Sequence, residues 1–312
     1  MPSSNTSITD STTDSTTFST TALTVSELPY SLILEHRATI SSMLLGAIKS
    51  LLPFKKKAPV GVPLLRHSQS PSNELLVYYR QWCNAPANDE IPAHFVGAAI
   101  AMPIVAELTA QAPYPLLSVL NQGVRLQMHK ALPVGEAITL SGKLLDASDD
   151  GRRARIHSQV CVGTASAPNA ITLDAIAAVM LKTGPKSAKK TAVEERSFET
   201  LATWRGAANE GQTFFWLTGD FNPIHTLPVF AKHTRYKGCI MHGYGAFAQI
   251  FERIREQFGT IKEIETRFIR TIPLPSPEFS IQCTMVPDED GRQYFRMIDE
   301  HHVSYQAGHF RV

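Results

Sequence analysis

The sequence predicts an α+β chain made of two related units, each a long helix followed by antiparallel strands, and three observations carry this. From Gly243 onward, Ala246, Phe247, Ile250, Phe251, Ile254 and Phe258 recur at helical spacing, the pattern of a helix buried on most faces. The segment Ala93-His94-Phe95-Val96-Gly97-Ala98-Ala99 can be laid on Met241-His242-Gly243-Tyr244-Gly245-Ala246-Phe247, each opening a helical stretch, and Leu126 to Glu136 on Phe268 to Glu278 with Leu-Pro and Glu at matching offsets. Both downstream segments lead into alternating sequence, Ala137-Ile138-Thr139-Leu140 and Phe279-Ser280-Ile281-Gln282, that reads as strand.

In chain order, residues 1–25 are rich in Ser and Thr and poor in large apolar residues, so they are read as a mobile tail. Residues 26–57 form an amino-terminal extension: Leu32, Leu34, Ile40, Met43, Leu44, Ile48, Leu51 and Leu52 follow a loosely helical pattern that ends in Pro53-Phe54-Lys55-Lys56-Lys57. A helix packed on the body explains this pattern, with a helix lying on an anionic membrane surface as the minority reading. Residues 58–185 are the first unit and 197–312 the second, separated by a polar, charged linker at 186–196 that follows the apolar run Ala175 to Leu181.

A chain of 312 residues with 43% hydrophobic composition can bury a sizeable core. Its formal charge of +2 gives no nucleic-acid footprint, and the three-lysine cluster is too short to supply one. Cys83, Cys161, Cys239 and Cys283 are too widely spaced for a zinc knuckle or a redox pair and are expected to be reduced. No uninterrupted apolar run reaches the ~20 residues that span a bilayer, and a cytoplasmic location is expected.

Chemistry concentrates in residues 216–225, WLTGDFNPIH, where a Thr-Gly-Asp turn and an Asn-Pro turn let Asp220 and His225 converge. Proline fixes φ and asparagine tolerates unusual backbone, so a bent, non-helical loop is expected there. Taken alone, Asp220 is more often a turn residue and His225 a structural histidine; the surrounding motif reverses that reading. A glycine opening the later helix, Gly243, adds free N–H groups and a favourable dipole for a developing oxyanion. Asp220, His225, His233 and His242 lack the same-face His pairing of hydrolytic zinc sites, so no metal is expected.

The run from Trp216 to Ala231, with a small hydroxyl residue, Gly-Asp, any residue, Asn-Pro, an aliphatic residue, His, and Ala six positions on, resembles the MaoC-like or hydratase-2 signature. The clear match covers about residues 212–281. The resemblance implies a hot-dog fold, here a double hot dog, in which a curved antiparallel sheet wraps each long helix. It further implies (R)-specific hydration of trans-2-enoyl thioesters, or dehydration of (R)-3-hydroxyacyl thioesters, with no redox cofactor. Asp220 and His225 would be the catalytic pair and the Gly243 N–H would meet the thioester carbonyl. Asn222, Thr218, His242 and Tyr244 are candidate substrate-side residues, His242 also reading as structural.

The substrate carrier would be coenzyme A or acyl carrier protein. A homodimer is compatible with the sequence. Departures at Leu227, where an acidic or polar residue is common, and at Arg235-Tyr236, in place of Gly-Phe, bear on substrate choice. The first unit lacks the motif, and Phe95 is laid on Gly243, so one site per chain is expected, with the first unit shaping the acyl pocket. The other readings are a non-catalytic acyl-thioester-binding subunit and an acyl thioesterase.

Overall fold

The computed structural model describes residues 23–37, 39–41, 44–45, 60–114, 119–181 and 196–312. Its frame is one ten-stranded sheet in the order β1-β3-β4-β5-β2-β7-β10-β9-β8-β6, antiparallel throughout. The first half of the chain supplies β1 (Pro63–Ser68), β2 (Val119–Met128), β3 (Ile138–Asp149), β4 (Arg153–Gly163) and β5 (Ile171–Met180). The second half supplies β6 (Glu199–Trp204), β7 (Glu263–Phe268), β8 (Phe279–Cys283), β9 (Gln293–Ile298) and β10 (Ser304–Arg311). Each set of five curves around helix, the double hot-dog arrangement.

In the second half the wrapped helix is α8 (Gly243–Phe258), and its buried face carries the apolar residues that the spacing marks, Ala246, Phe247, Ile250, Phe251 and Ile254. The first-half counterpart is not one long helix. It breaks into α3 (Ala93–Phe95), a π-helical turn at Val96–Ile100 and α4 (Met102–Ala110), with a bend of 49°. Pro103 lies in the first turn of α4, where it has no N–H to give a continuous helix and its ring crowds the preceding turn. Gly97 lies in the π turn because a β-carbon there would come 2.7 Å from the Tyr244 ring of the other half.

The internal repeat is present, two residues out of the register that the sequence suggests. The Ile91 N–H bonds the Leu132 carbonyl as the Met241 N–H bonds that of Ile272, and the isolated bridges Glu90–Pro133 and Ile240–Pro273 match. Ala93, not Phe95, is therefore the counterpart of Gly243, and Pro92 that of His242. A shift of two leaves a period-2 strand pattern unchanged, so alternation of hydropathy cannot separate the two registers. The same interval relates Arg125 to Glu265, which face each other where β2 and β7 join the halves, so the local two-fold passes between them.

Other helices are α1 (Ser31–Glu35), α2 (Asn73–Cys83), α5 (Glu210–Thr218), α6 (Pro223–Thr226) and α7 (Pro228–Ala231). A hydrogen-bonded chain, buried as far as Glu252, ties the halves together: the Tyr79 hydroxyl meets His94 Nδ1 at 2.8 Å, His94 Nε2 meets Glu252 at 2.7 Å, and the half-buried Arg255 donates from Nε to Glu252 at 2.6 Å.

Within the stretch 1–25 expected as a tail, Leu23 is buried, and Val25–Glu27 form a 3₁₀ turn. Residues 1–22, most of 42–59 with the lysine cluster, and the linker as far as residue 195 lie outside the described residues. The four cysteines are free. Among the described residues no single helix is long and apolar enough to cross a membrane.

Candidate active site

The motif sits on two short helices and the turn between them. The non-helical stretch expected across Trp216–His225 is confined to Gly219–Asn222, because α5 runs through Thr218 and α6 begins at Pro223. Gly219 ends α5 in the left-handed region at φ 77°, which a side chain rarely adopts, and Asp220 follows at once. Asn222 caps α6, its side-chain oxygen accepting from the Ile224 N–H at 3.3 Å, while Pro223 occupies a helix start where its missing N–H costs nothing. Helix α6 lies hard against α5, since a β-carbon on Gly211 would come 2.2 Å from the His225 carbonyl oxygen.

These elements bring Asp220, His225, His242 and Gly243 together. The His225 Nδ1 donates to the Ile240 carbonyl at 2.7 Å, which fixes the neutral tautomer and leaves the Nε2 lone pair free to accept a proton. The His225 and His242 rings lie with centroids 3.8 Å apart and 31° between planes. His242 Nε2 donates to the Asp220 carbonyl at 3.0 Å, pinning the turn that carries the carboxylate, and its Nδ1 is buried without a partner among the described residues. Gly243 is the first residue of α8, so its N–H has no carbonyl one turn back to bond. Its own carbonyl accepts from Gln306 at 2.9 Å, and a β-carbon there would press on the Phe268 ring at 3.1 Å.

Burial sets the protonation of the cluster. It raises the Asp220 carboxyl above its ordinary range, opposed by the nearby His225. It drives His225 down to about 3, helped by His242 and opposed by Asp220 and the Ile240 bond. His242 also falls to about 3 through burial. At neutral pH both imidazoles are uncharged, which leaves His225 competent as an acceptor beside a carboxyl of raised basicity.

The remaining expected residues divide. Tyr244 is buried, its ring between Gly97 and Phe268, and its hydroxyl is held up in pKa by burial and by the charge of Asp220, opposed by the Asn121 side chain of the first half. Thr218 faces inward: its hydroxyl donates to the Phe214 carbonyl at 2.8 Å and accepts from the Asp220 N–H at 3.4 Å, so it shapes the turn rather than a substrate surface. Asn222 likewise spends its side-chain oxygen on the cap. His233 is exposed, next to the exposed Leu227, Val229 and Phe230. Asn121 and Gly211 had no sequence signal, since each matters through a partner distant in the chain.

The first half keeps the turn without the chemistry. Helix α2 also ends in a left-handed residue, Asn84 at φ 59°, and Ala85 follows where Asp220 follows Gly219. The next strand bridge comes at Glu90, so this half has no counterpart of α6 and α7.

Residues 184–299 match the model of the MaoC like domain. The chain is 25% identical over 152 residues to the peroxisomal hydratase-dehydrogenase-epimerase of Neurospora crassa, a match that takes in 45% of this chain and 17% of that protein. Among solved structures it resembles HtdX of Mycobacterium tuberculosis, with a TM-score of 0.64 at 14% identity over 80% of this chain and 99% of that one. It also resembles a MaoC-like dehydratase from Phytophthora capsici, with a TM-score of 0.59 at 16% identity over 80% and 94% of the two chains. At these identities the two structures speak to the fold.

Proposed function

Since its carboxy-terminal half carries a MaoC-like domain, we propose that this hydratase-type protein adds water to trans-2-enoyl thioesters, or removes it from (R)-3-hydroxyacyl thioesters, at Asp220 and His225. The observation that carries this reading is the meeting of a carboxyl of raised pKa and a neutral imidazole, its Nε2 lone pair free, beside the first N–H groups of α8.

In the hydration direction one water is held between Asp220 and His225. Its oxygen bonds C3 as the pair accepts its proton; the C2–C3 π electrons move to C2 and the thioester oxygen, and the proton is returned to C2 on the same face. The Gly243 N–H meets the enolate oxygen, a donor of a kind whose loss costs ~10²–10³ in rate. Water supplies both the hydroxyl and the proton, so the step balances without an oxidant. His242 holds the Asp220 carbonyl and supports the His225 ring, a positioning role. Coenzyme A and acyl carrier protein are both suitable carriers of the thioester.

The test is loss of enoyl-thioester absorbance on mixing the protein with crotonyl-CoA, with the product resolved on a chiral column. The expected result is the (R)-3-hydroxy product, and turnover lower by ~10² or more in Asp220→Asn and in His225→Gln, each with an unchanged fold. Near-normal rates in either variant refute the assignment. Acyl-CoA binding without turnover points instead to a binding subunit, and release of free thiol to a thioesterase.

A further inference from the structure

The turn that presents Asp220 is braced by a residue from outside both sheet-and-helix units. The amino-terminal segment from Leu23 crosses α5: Leu28 and Leu32 are buried, the Thr213 hydroxyl donates to the Leu23 carbonyl, and the Tyr30 ring meets that of Trp216 at 5.4 Å. The segment is tied to the first half as well, because the Glu35 carboxylate accepts from the N–H and the hydroxyl of Ser72, the residue that caps α2.

His36 follows directly. It is 5% exposed, and the carbonyls of Trp216 and Leu217, in the last turn of α5, lie close enough to its ring to favour its protonated form. Carbonyls at that end of a helix have no intrahelical donor, and the imidazole is the buried polar side chain placed beside them. Its Nε2 is buried without a partner among the described residues, and Nδ1 is the ring nitrogen on the Gly219 side. The ring lies on Gly219: a β-carbon there would come 2.6 Å from His36 Cβ, 2.9 Å from Cγ and 3.2 Å from Nδ1. Gly219 immediately precedes Asp220, whose own backbone ties are the 3.4 Å bond to Thr218 and the His242 bond.

We propose that His36 is a positioning residue for the water-activating pair, closing the end of α5 so that the Gly219 turn holds Asp220 against His225. The functional half of this statement rests on the hydration reading above; the structural half does not. Burial holds the imidazole down to about 4, so it stays neutral with one donor and one acceptor nitrogen across the physiological range.

The experiment compares full-length His36→Ala, His36→Asn and His36→Gln. The Asn amide nitrogen lies where Nδ1 does, whereas the Gln nitrogen lies where Nε2 does. Amide hydrogen exchange at Gly219 and Asp220 is expected to quicken by roughly fivefold to tenfold in His36→Ala, the factor given by one lost helix cap. With crotonyl-CoA, kcat is expected to fall ~10-fold or more with KM within about twofold, since orientation is lost rather than binding. His36→Asn should restore both readouts and His36→Gln neither.

Unchanged exchange in His36→Ala overturns the proposal, as does rescue by Gln equal to that by Asn. A kcat loss that follows the thermal midpoint across all three variants also overturns it, because His36 would then only stabilise the fold. Faster exchange with wild-type kcat refutes the positioning role and leaves hydration standing. A wild-type protein that turns over no enoyl thioester sinks the hydration reading, and the exchange comparison then decides the brace by itself.

Discussion

Gly211→Ala tests whether the two helices of the motif set the spacing of the proposed catalytic pair, Asp220 and His225. A β-carbon at this position in α5 would lie 2.2 Å from the His225 carbonyl oxygen and 3.0 Å from its carbon. Non-bonded carbon contacts settle near ~3.5 Å, so the gap has to open by roughly 1 Å. Both obstructing atoms are backbone, and no rotamer change relieves them. Either α5 withdraws or α6 does. Because α5 leads into Asp220 and α6 carries His225, each movement displaces one member of the pair relative to the other. A misplacement of about 1 Å costs up to ~10²-fold in rate, and overpacking of this kind destabilises by ~1–3 kcal/mol. Initial rates with crotonyl-CoA and urea unfolding measure the two effects separately. Gly238→Ala is the control, since a β-carbon there meets nothing within 4 Å. Gly211→Ala turnover within about twofold of wild type would refute the argument that backbone contact between α5 and α6 fixes the pair.

Acid should destabilise the protein earlier than its carboxylates alone would. His36, His225 and His242 are held down to about 4, 3 and 3 from 6.5. Below pH 6.5 the unfolded chain therefore takes up protons that the folded chain refuses, and stability falls with pH, on the order of 2 kcal/mol for each such histidine by pH 5. Asp220 and Glu210, raised by burial, act with the opposite sign. Urea midpoints from pH 7 to 5 check the net slope, and His36→Asn should make it shallower. His94→Leu would leave the Tyr79 hydroxyl without its partner and Glu252 with Arg255 alone, an expected loss of ~3 kcal/mol in urea unfolding with kcat retained.

Legibility in the sequence followed the range of the interaction. The helix at Gly243–Phe258 could be read because its apolar positions repeat within one element, and the Asp220–His225 turn because Gly, Asn and Pro encode backbone locally. The repeat was readable in kind and misplaced by two residues, since strand alternation is blind to even shifts. The bend before Met102 has a local marker in Pro103, whereas the close approach of Gly97 to Tyr244 was hidden because it crosses the halves. His36 was equally hidden: its partners lie near residue 217, and nothing in the run Leu34-Glu35-His36-Arg37 marks one side chain as a helix cap.

The two-fold between the halves shows what joining two units in one chain permits. In a dimer of identical units, a residue on the axis faces its own copy, and a charged residue there meets a like charge. Here Arg125 faces Glu265 at equivalent positions, and Arg125 also pairs with Glu263 at 2.7 Å, a complementarity that identical copies could not have on the axis. The same freedom is visible at the turn that carries Asp220. Asn84-Ala85 keeps the left-handed helix ending of Gly219-Asp220 but not the carboxylate, and it leads to the next strand bridge without α6 and α7. With no such pair of its own, the first half instead lays Gly97 against the Tyr244 ring. On the proposed reading, the first half contributes a wall of the site, and divergence there would alter what the site admits without touching Asp220 or His225.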